Sequence, residues 1–231
     1  MKEIQVNVSA DLVARASLCR SWEDTRYYLN GIRIQPAKNG GVIIVATDGH
    51  TLAALYDPAG YASEPVTISP NKAVVGWCQR PKMSKFFKGS ARLILKNEKL
   101  FGMLRDDEET YSAFTAVEDP RRIEVMQWRD AIIDAAYPDF TRAVRCDGGD
   151  LVPMKATCFN SRYLARVSEV LTTKHSRGVS LYQRGRDVSS PAFVIPSGSE
   201  ILGFCLVMPM RNETRGEMPG WYLRQYEPKE G

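Results

Sequence analysis

The chain has 231 residues, 44% of them apolar and 25% charged, with a net charge of +4. That length can bury a sizeable core in one domain or two, while its longest uninterrupted apolar runs, such as Val42 to Ala46, are far too short to span a bilayer. The opening MKEIQVNVSADL lacks the apolar stretch of a signal peptide, and the five cysteines, at 19, 78, 146, 158 and 205, form no C-x-x-C pair, which argues against zinc, a redox motif or a disulfide framework and for a reducing, cytoplasmic setting.

In chain order, EIQVNV alternates as a short strand, and Ser9 can cap the helix SADLVARASLCR, where Leu12, Ala16 and Cys19 recur at helical spacing. YYLNGIRIQ and GVIIVATDGHTLAALYD are rich in β-branched and aromatic residues and read as strands, joined through the turn-like PAKNGG. The order then repeats. PVTISP is a strand, NKAVVGWCQR starts a helix with Val74 and Cys78 four apart, and Pro81 should end or kink it. ARLILKN, LFGMLRDD and TYSAFTAVE follow as strands. Beyond them, Val125, Trp128, Ile132 and Ala136 can form an apolar helical stripe that Pro138 stops, and CDGGDLVP reads as a loop. A third unit runs from MKATCF into the helix NSRYLARVSEVLTTK, with Leu164, Val167 and Leu171 on one face, and on to the strand-like RGVSLYQRG, PAFVIPSG and ILGFCLVMPMR. The tail is polar with interspersed aromatics.

Charge follows this organisation. The helical segments 9–20, 70–89 and 159–178 carry net charges of +1, +5 and +3, which leaves −5 for the rest of the chain. A basic helical surface can face a polyanion, or it can simply be a solvated face.

Three stretches stand out as motifs. In TDGH, Asp48 and His50 could be an acid/base pair, but the other histidine, His175, lies in a charged helix end, and no H-E-x-x-H, nucleophile elbow, P-loop or G-x-G-x-x-G is present. A tight turn closing a buried strand needs none of those missing partners. VMPMR, at 207–211, sets two adaptable methionines around a proline; it suits either a surface for varied apolar partners or an edge strand. YPDFTRAV reads as a connection carrying a packed aromatic. Neither a catalytic residue nor a metal or other cofactor is expected, and so not an enzyme.

Taken in order, RYYLNGI, VATDGHTLA, YPDFTRAV, FNSRYLARVSEVL and VMPMR closely resemble the bacterial β sliding clamp, the processivity subunit of DNA polymerase III. The resemblance implies an α+β DNA-clamp fold of repeated β-α-β-β-β units, with sheets outside and helices on one inner face that lines a DNA-sized hole. It divides the chain into a clamp-like domain at 1–117 (units 1–60 and 63–117), a helical insert and connector at 118–150, a half clamp domain at 151–212 and a C-terminal tail at 213–231. It also implies a cleft that accepts short linear motifs, with a Gln and hydrophobic residues, from polymerases and clamp loaders. Carried over by position, the cleft comprises Leu29, Thr47, Gly49, His50, Thr51 and Leu52, then Pro138, Arg142 and Ala143, then Met208, Pro209, Met210 and Arg211. Asp48 would stabilise the turn behind His50. The basic positions expected to face DNA are Arg15, Arg20, Lys72, Arg80, Lys82, Lys85, Arg162, Arg166 and Lys174.

Departures from the family matter too. A full clamp subunit has three domains of two units each, whereas this chain has about three units, and only about twenty residues separate YPDF from FNSRYL. The first domain and the first half of the last are expected to be missing, which damages both partners of the family's subunit interface. The residue after His50, normally Arg, is Thr51. Two functions follow: a compact, phage- or plasmid-borne processivity factor that encloses duplex DNA as a homo-oligomer, or a peptide-binding decoy or adaptor that forms no ring. No membrane partner is expected.

Overall fold

Three times along the chain a helix begins at a residue whose side chain caps it, and each time the chain then turns into a run of strands. In the computed structural model, which describes residues 4–79, 90–96, 99–105, 122–126, 132–145, 150–154, 158–184, 189–198 and 200–210, Ser9 Oγ accepts Leu12 N at 3.4 Å, Asn71 Oδ1 accepts Val74 N at 3.0 Å and Asn160 Oδ1 accepts Arg162 N at 2.9 Å. Each cap satisfies one of the backbone donors that a helix start leaves unpaired.

The first unit comprises β1 (Val6–Ser9), α1 (Ala10–Ser17), β2 (Ile32–Pro36), β3 (Val42–Thr47) and β4 (Thr51–Asp57). The short β5 (Tyr61–Ala62) leads to the second unit: β6 (Val66–Ile68), α2 (Lys72–Cys78), β7 (Ser90–Lys96), β8 (Lys99–Arg105) and β9 (Arg122–Met126). A connector bearing α3 (Thr141–Arg145) and β10 (Leu151–Pro153) precedes α4 (Ser161–Leu171), β11 (Gly178–Arg184), β12 (Ala192–Ser197) and β13 (Gly203–Val207).

The first two units exchange their leading strands. β1 joins the five-stranded sheet β5-β1-β7-β8-β9, and β6 joins the eight-stranded sheet β10-β11-β12-β13-β4-β3-β2-β6. A buried ion pair fixes the exchange: Arg92 of β7 meets Asp57 at the end of β4 at 2.9 Å, the same carboxylate accepts Ser9 N at 2.7 Å, and Arg92 Nε donates to Asn7 Oδ1 at 2.9 Å. The third unit joins through β13, which pairs antiparallel with β4 from Gly203↔Leu55 to Val207↔Thr51. Glycine is needed at that seam, because a Cβ on Gly203 would stand 2.5 Å from the Ala54 carbonyl oxygen.

The eight-stranded sheet is covered on both sides, which explains the near-continuous apolar runs of its central strands. On its inner face Ile44, Ala46, Ala53, Leu55, Cys205 and Val207 share one core with Val13 and Ala16 of α1 and Val167, Val170 and Leu171 of α4. On its outer face Val45, Leu52, Ala54, Phe193 and Leu206 are covered by Tyr137, Phe140, Ala143 and Val144 of the connector. With α1 and α4 on the inner face and the short α3 on the outer one, the three strand–helix units agree with the expected α+β clamp architecture.

Four expectations about elements are corrected. Tyr27–Leu29 is not strand but the end of a 3-10 helix, Asp24–Leu29; the backbone turns there before Gly31, where a Cβ would come within 2.5 Å of Thr67 Cγ2. The described ends of the apolar stripe at 125–136 are not helical: Arg122–Met126 pairs antiparallel with β8, and Ile132 bridges Ile68. Ile123 and Val125 also alternate with period two, and pairing with β8 selects that reading. Leu151–Pro153, expected as loop, pairs with β11. The first helix, expected to reach residue 20, ends at Ser17. The strand expected at TYSAFTAVE, Trp128, the second half of the 70–89 helix and the tail at 213–231 lie outside the described residues.

Candidate cleft and helical face

The TDGH turn links β3 to β4. Asp48 organises it: its Oδ1 accepts His50 N at 2.9 Å, Thr51 N at 2.7 Å and Thr51 Oγ1 at 3.0 Å. Thr47 Oγ1 donates to Thr51 O at 2.7 Å and accepts Gly49 N at 3.0 Å. Gly49 sits at φ +88, a region that suits glycine, and a Cβ there would lie 3.1 Å from the guanidinium of Arg26. Asp48 therefore shapes a turn, as its position beside His50 suggests, and the acid/base alternative finds no partner set among the described residues.

β13 brings the closing methionines to this turn. Met208 N donates to His50 O at 2.9 Å, and Met210 N donates to Cys158 O at 2.8 Å. Met208 and Met210 are 39% and 49% exposed, and Gly49 and His50 are exposed beside them. Residues more than 150 positions apart in the chain thus form one rim. Thr51 and Leu52 lie beneath it as buried residues of β4, and Leu29 is buried at the end of the 3-10 helix. Ala143 packs on the outer sheet face with Leu52, while Pro138 and Arg142 are exposed on the connector, where Arg142 faces Asp139 at 3.6 Å. Pro209 is half-buried, and Arg211 lies outside the described residues.

A further wall comes from α4. The His50 and Tyr163 rings stack with centroids 5.4 Å apart and planes 13° apart. The Arg166 guanidinium binds Asp48 Oδ2 and lies 5.5 Å from the Tyr163 ring centre. Tyr163 was not foreseen as a cleft residue, although it lies in the quoted FNSRYL stretch; helical spacing alone gives no reason to aim it at residue 50.

The helical face is less uniformly basic than the charge count suggests. Arg20 is only 3% exposed, donates to Pro70 O and stacks 4.0 Å from the Trp22 ring centre; burial lowers its pKa to about 10. Its expected role facing DNA is corrected: from this position the guanidinium cannot reach a phosphate. Arg15 pairs with Asp11 at 2.6 Å and donates to the carbonyls of Val170 at 3.1 Å and Thr172 at 2.8 Å. Arg166 is held by Asp48. Lys72, Arg162 and Lys174 are exposed, and Arg80, Lys82 and Lys85 lie outside the described residues. Between α1 and α4 an open cleft of about 500 Å³ is lined by Ala14 and Leu18 and by Arg15, Lys174 and Arg177.

Against known proteins, residues 3–108 match the family model described as the DNA polymerase III beta subunit, central domain. The beta sliding clamp of Caulobacter vibrioides is 26% identical over 184 residues, which cover 77% of this chain and 43% of that protein; the chain spans less than half of this curated relative. Among solved structures, the DnaN sliding clamp of Bartonella birtlesii bound to griselimycin superposes with a TM-score of 0.56 at 19% identity, over 90% of this chain and 66% of that one. The Caulobacter crescentus beta sliding clamp gives 0.58 at 17%, over 90% and 65%, and the DNA polymerase III beta subunit of Pseudomonas aeruginosa gives 0.57 at 18%, over 90% and 66%. Residues 3–108 thus match the central-domain model of the DNA polymerase III beta subunit, and the chain is similar in sequence and in fold to bacterial beta sliding clamps.

Proposed function

We propose that the chain is a non-catalytic, sliding-clamp-like processivity factor. It binds short linear motifs of polymerase and clamp-loader type partners at the rim of His50, Met208 and Met210, and as a homo-oligomer it holds duplex DNA against its helical face. The observation that carries this reading is the hydrogen bond from Met208 N to His50 O at 2.9 Å, which joins the TDGH turn to two exposed methionines. An adaptable apolar strip beside ordered backbone groups suits an extended peptide. The test is titration of a labelled peptide containing a Gln and hydrophobic residues. Saturable binding is expected, and changing Met208 and Met210 to Ala should weaken it by about 1–3 kcal/mol for each anchor. No binding, or binding indifferent to both changes, overturns the cleft.

A second reading, an adaptor or decoy that forms no ring, is favoured by the inward use of Arg15, Arg20 and Arg166, which leaves fewer cations for phosphates. Mass in solution separates the two. A dimer or tetramer that stimulates a polymerase supports the ring, and a monomer that binds peptide without stimulating synthesis supports the adaptor.

A further inference from the structure

The TDGH turn belongs to the first unit and α4 to the third, yet two side-chain contacts clasp them together. Asp48 divides its carboxylate: Oδ1 is used within the turn, and Oδ2 reaches Arg166, 118 residues away. One turn of α4 earlier, Tyr163 stacks on His50. Residues 163 and 166 are three apart and so share a helix face, and Arg166 lies close enough to both Asp48 and Tyr163 to hold the ring against the imidazole. The carboxylate in this pair is only 14% exposed, and the guanidinium is 32% exposed. This largely withdrawn, charge-assisted contact is better placed to fix geometry than to meet a phosphate. Thr51, in turn, closes the turn with its hydroxyl and supplies no cation.

We propose that Arg166 is a positioning residue of the peptide cleft: by clamping Asp48 it sets α4 against the TDGH turn, so that His50 and Tyr163 form one continuous wall for the partner peptide. The inference rests on the peptide-cleft reading above. It assigns Arg166 to the cleft, in place of the expected role facing DNA, and makes the wall a joint product of the first and third units.

The test uses the full chain in three forms: wild type, Arg166→Ala, and Arg166→Lys, which keeps a cation opposite Asp48 and leaves the turn's own hydrogen bonds intact. Two readouts are taken on each. The first is affinity for the labelled peptide, with duplex affinity measured across a salt series in parallel. Arg166→Ala is expected to weaken peptide binding about tenfold, within the coupling range of contacting residues, without altering the salt dependence of duplex binding; Arg166→Lys should retain most of the affinity. The second readout is the imidazole proton spectrum. With only two histidines in the chain, stacking on Tyr163 should shift the His50 resonances, Arg166→Ala should abolish that shift and Arg166→Lys should keep most of it, while His175 stays unchanged. Arg166→Ala with wild-type peptide affinity and an unmoved His50 signal would overturn the proposal. So would a shallower salt dependence for duplex DNA with peptide binding intact. Wild type that binds no peptide defeats the cleft reading and this inference together; wild type that binds while Arg166→Ala is silent defeats this inference alone.

Discussion

At the scale of single residues, burial decides what an ionisable group can do. Burial, with the Asp11 carboxylate nearby, pushes the Cys78 thiol up to about 12, and burial against Cys19 moves Cys205 in the same direction. A thiol whose folded pKa lies above its unfolded value near 9 stabilises the fold at lower pH, where both states are neutral. That contribution is lost as pH rises from about 9 toward 12, because only the unfolded chain then releases its proton. The urea midpoint of the wild type should therefore fall between pH 9 and 11, and Cys78→Ala should show a shallower decline; equal slopes would contradict the assignment. In the folded protein at pH 8, Cys78 and Cys205 should resist iodoacetamide, whereas the partly exposed Cys158 should react. The sequence showed these cysteines to be unpaired by motif, and the burial of Cys78 followed from its helical spacing to Val74, whereas that of Cys205 depends on the sheet. The fates of Arg20 and Arg166 were not legible in it. An arginine on a helix reads as a free charge, and only the fold supplies Pro70 O for one and Asp48 for the other.

At the scale of elements, the three helices were legible because apolar spacing, joined at the first by the Ser9 cap, is a local signal. Strands were legible where both faces are buried, as in Val42–Thr47. Two of the failures share one cause: the pairing partner was distant. Leu151–Pro153 became strand because β11 offers it a ladder, and Arg122–Met126 because β8 does. Inter-element contacts of this kind also end α4. The helix leaves carbonyls unpaired at its C-terminus, and Arg15 of α1 donates to those of Val170 and Thr172 while Asp11 holds its Nε. Arg15 thus acts as a cap supplied by another helix. Arg15→Ala should destabilise the protein by about 1–3 kcal/mol in urea unfolding, the range for charge-assisted bonds left unmade, and should speed hydrogen exchange at the Thr172 and Thr173 amides. If stability holds while duplex affinity drops, Arg15 is a phosphate contact instead.

At the scale of the whole molecule, the sequence divides into basic helical segments and an acidic remainder, and the fold decides what the charge on the described helices can do. The chain's formal surplus is +4, and part of the helical charge is spent inside the protein, where it joins unit to unit. What remains available to a polyanion among the described residues lies on Lys72, Arg162, Lys174 and Arg177, all exposed, with Lys174 and Arg177 together beside the α1–α4 cleft. Each phosphate neutralised by such a group releases counterions, so the logarithm of duplex affinity should fall linearly with the logarithm of salt concentration. Removing one contact should reduce the steepness by about one. Lys174→Ala and Arg162→Ala are therefore each expected to weaken duplex binding and to flatten the salt dependence by about that amount, uniformly across DNA sequences. Arg20→Met, which removes a charge of the same sign from a buried position, should leave the slope where it was. Fluorescence anisotropy of a labelled duplex from about 50 to 200 mM salt, the interval over which phosphate-dominated binding changes most visibly, measures all three. If Arg20→Met flattens the slope as much as Lys174→Ala does, binding responds to total charge and not to the exposed helical face. In that case the arrangement of helices would set the fold without setting the DNA contact.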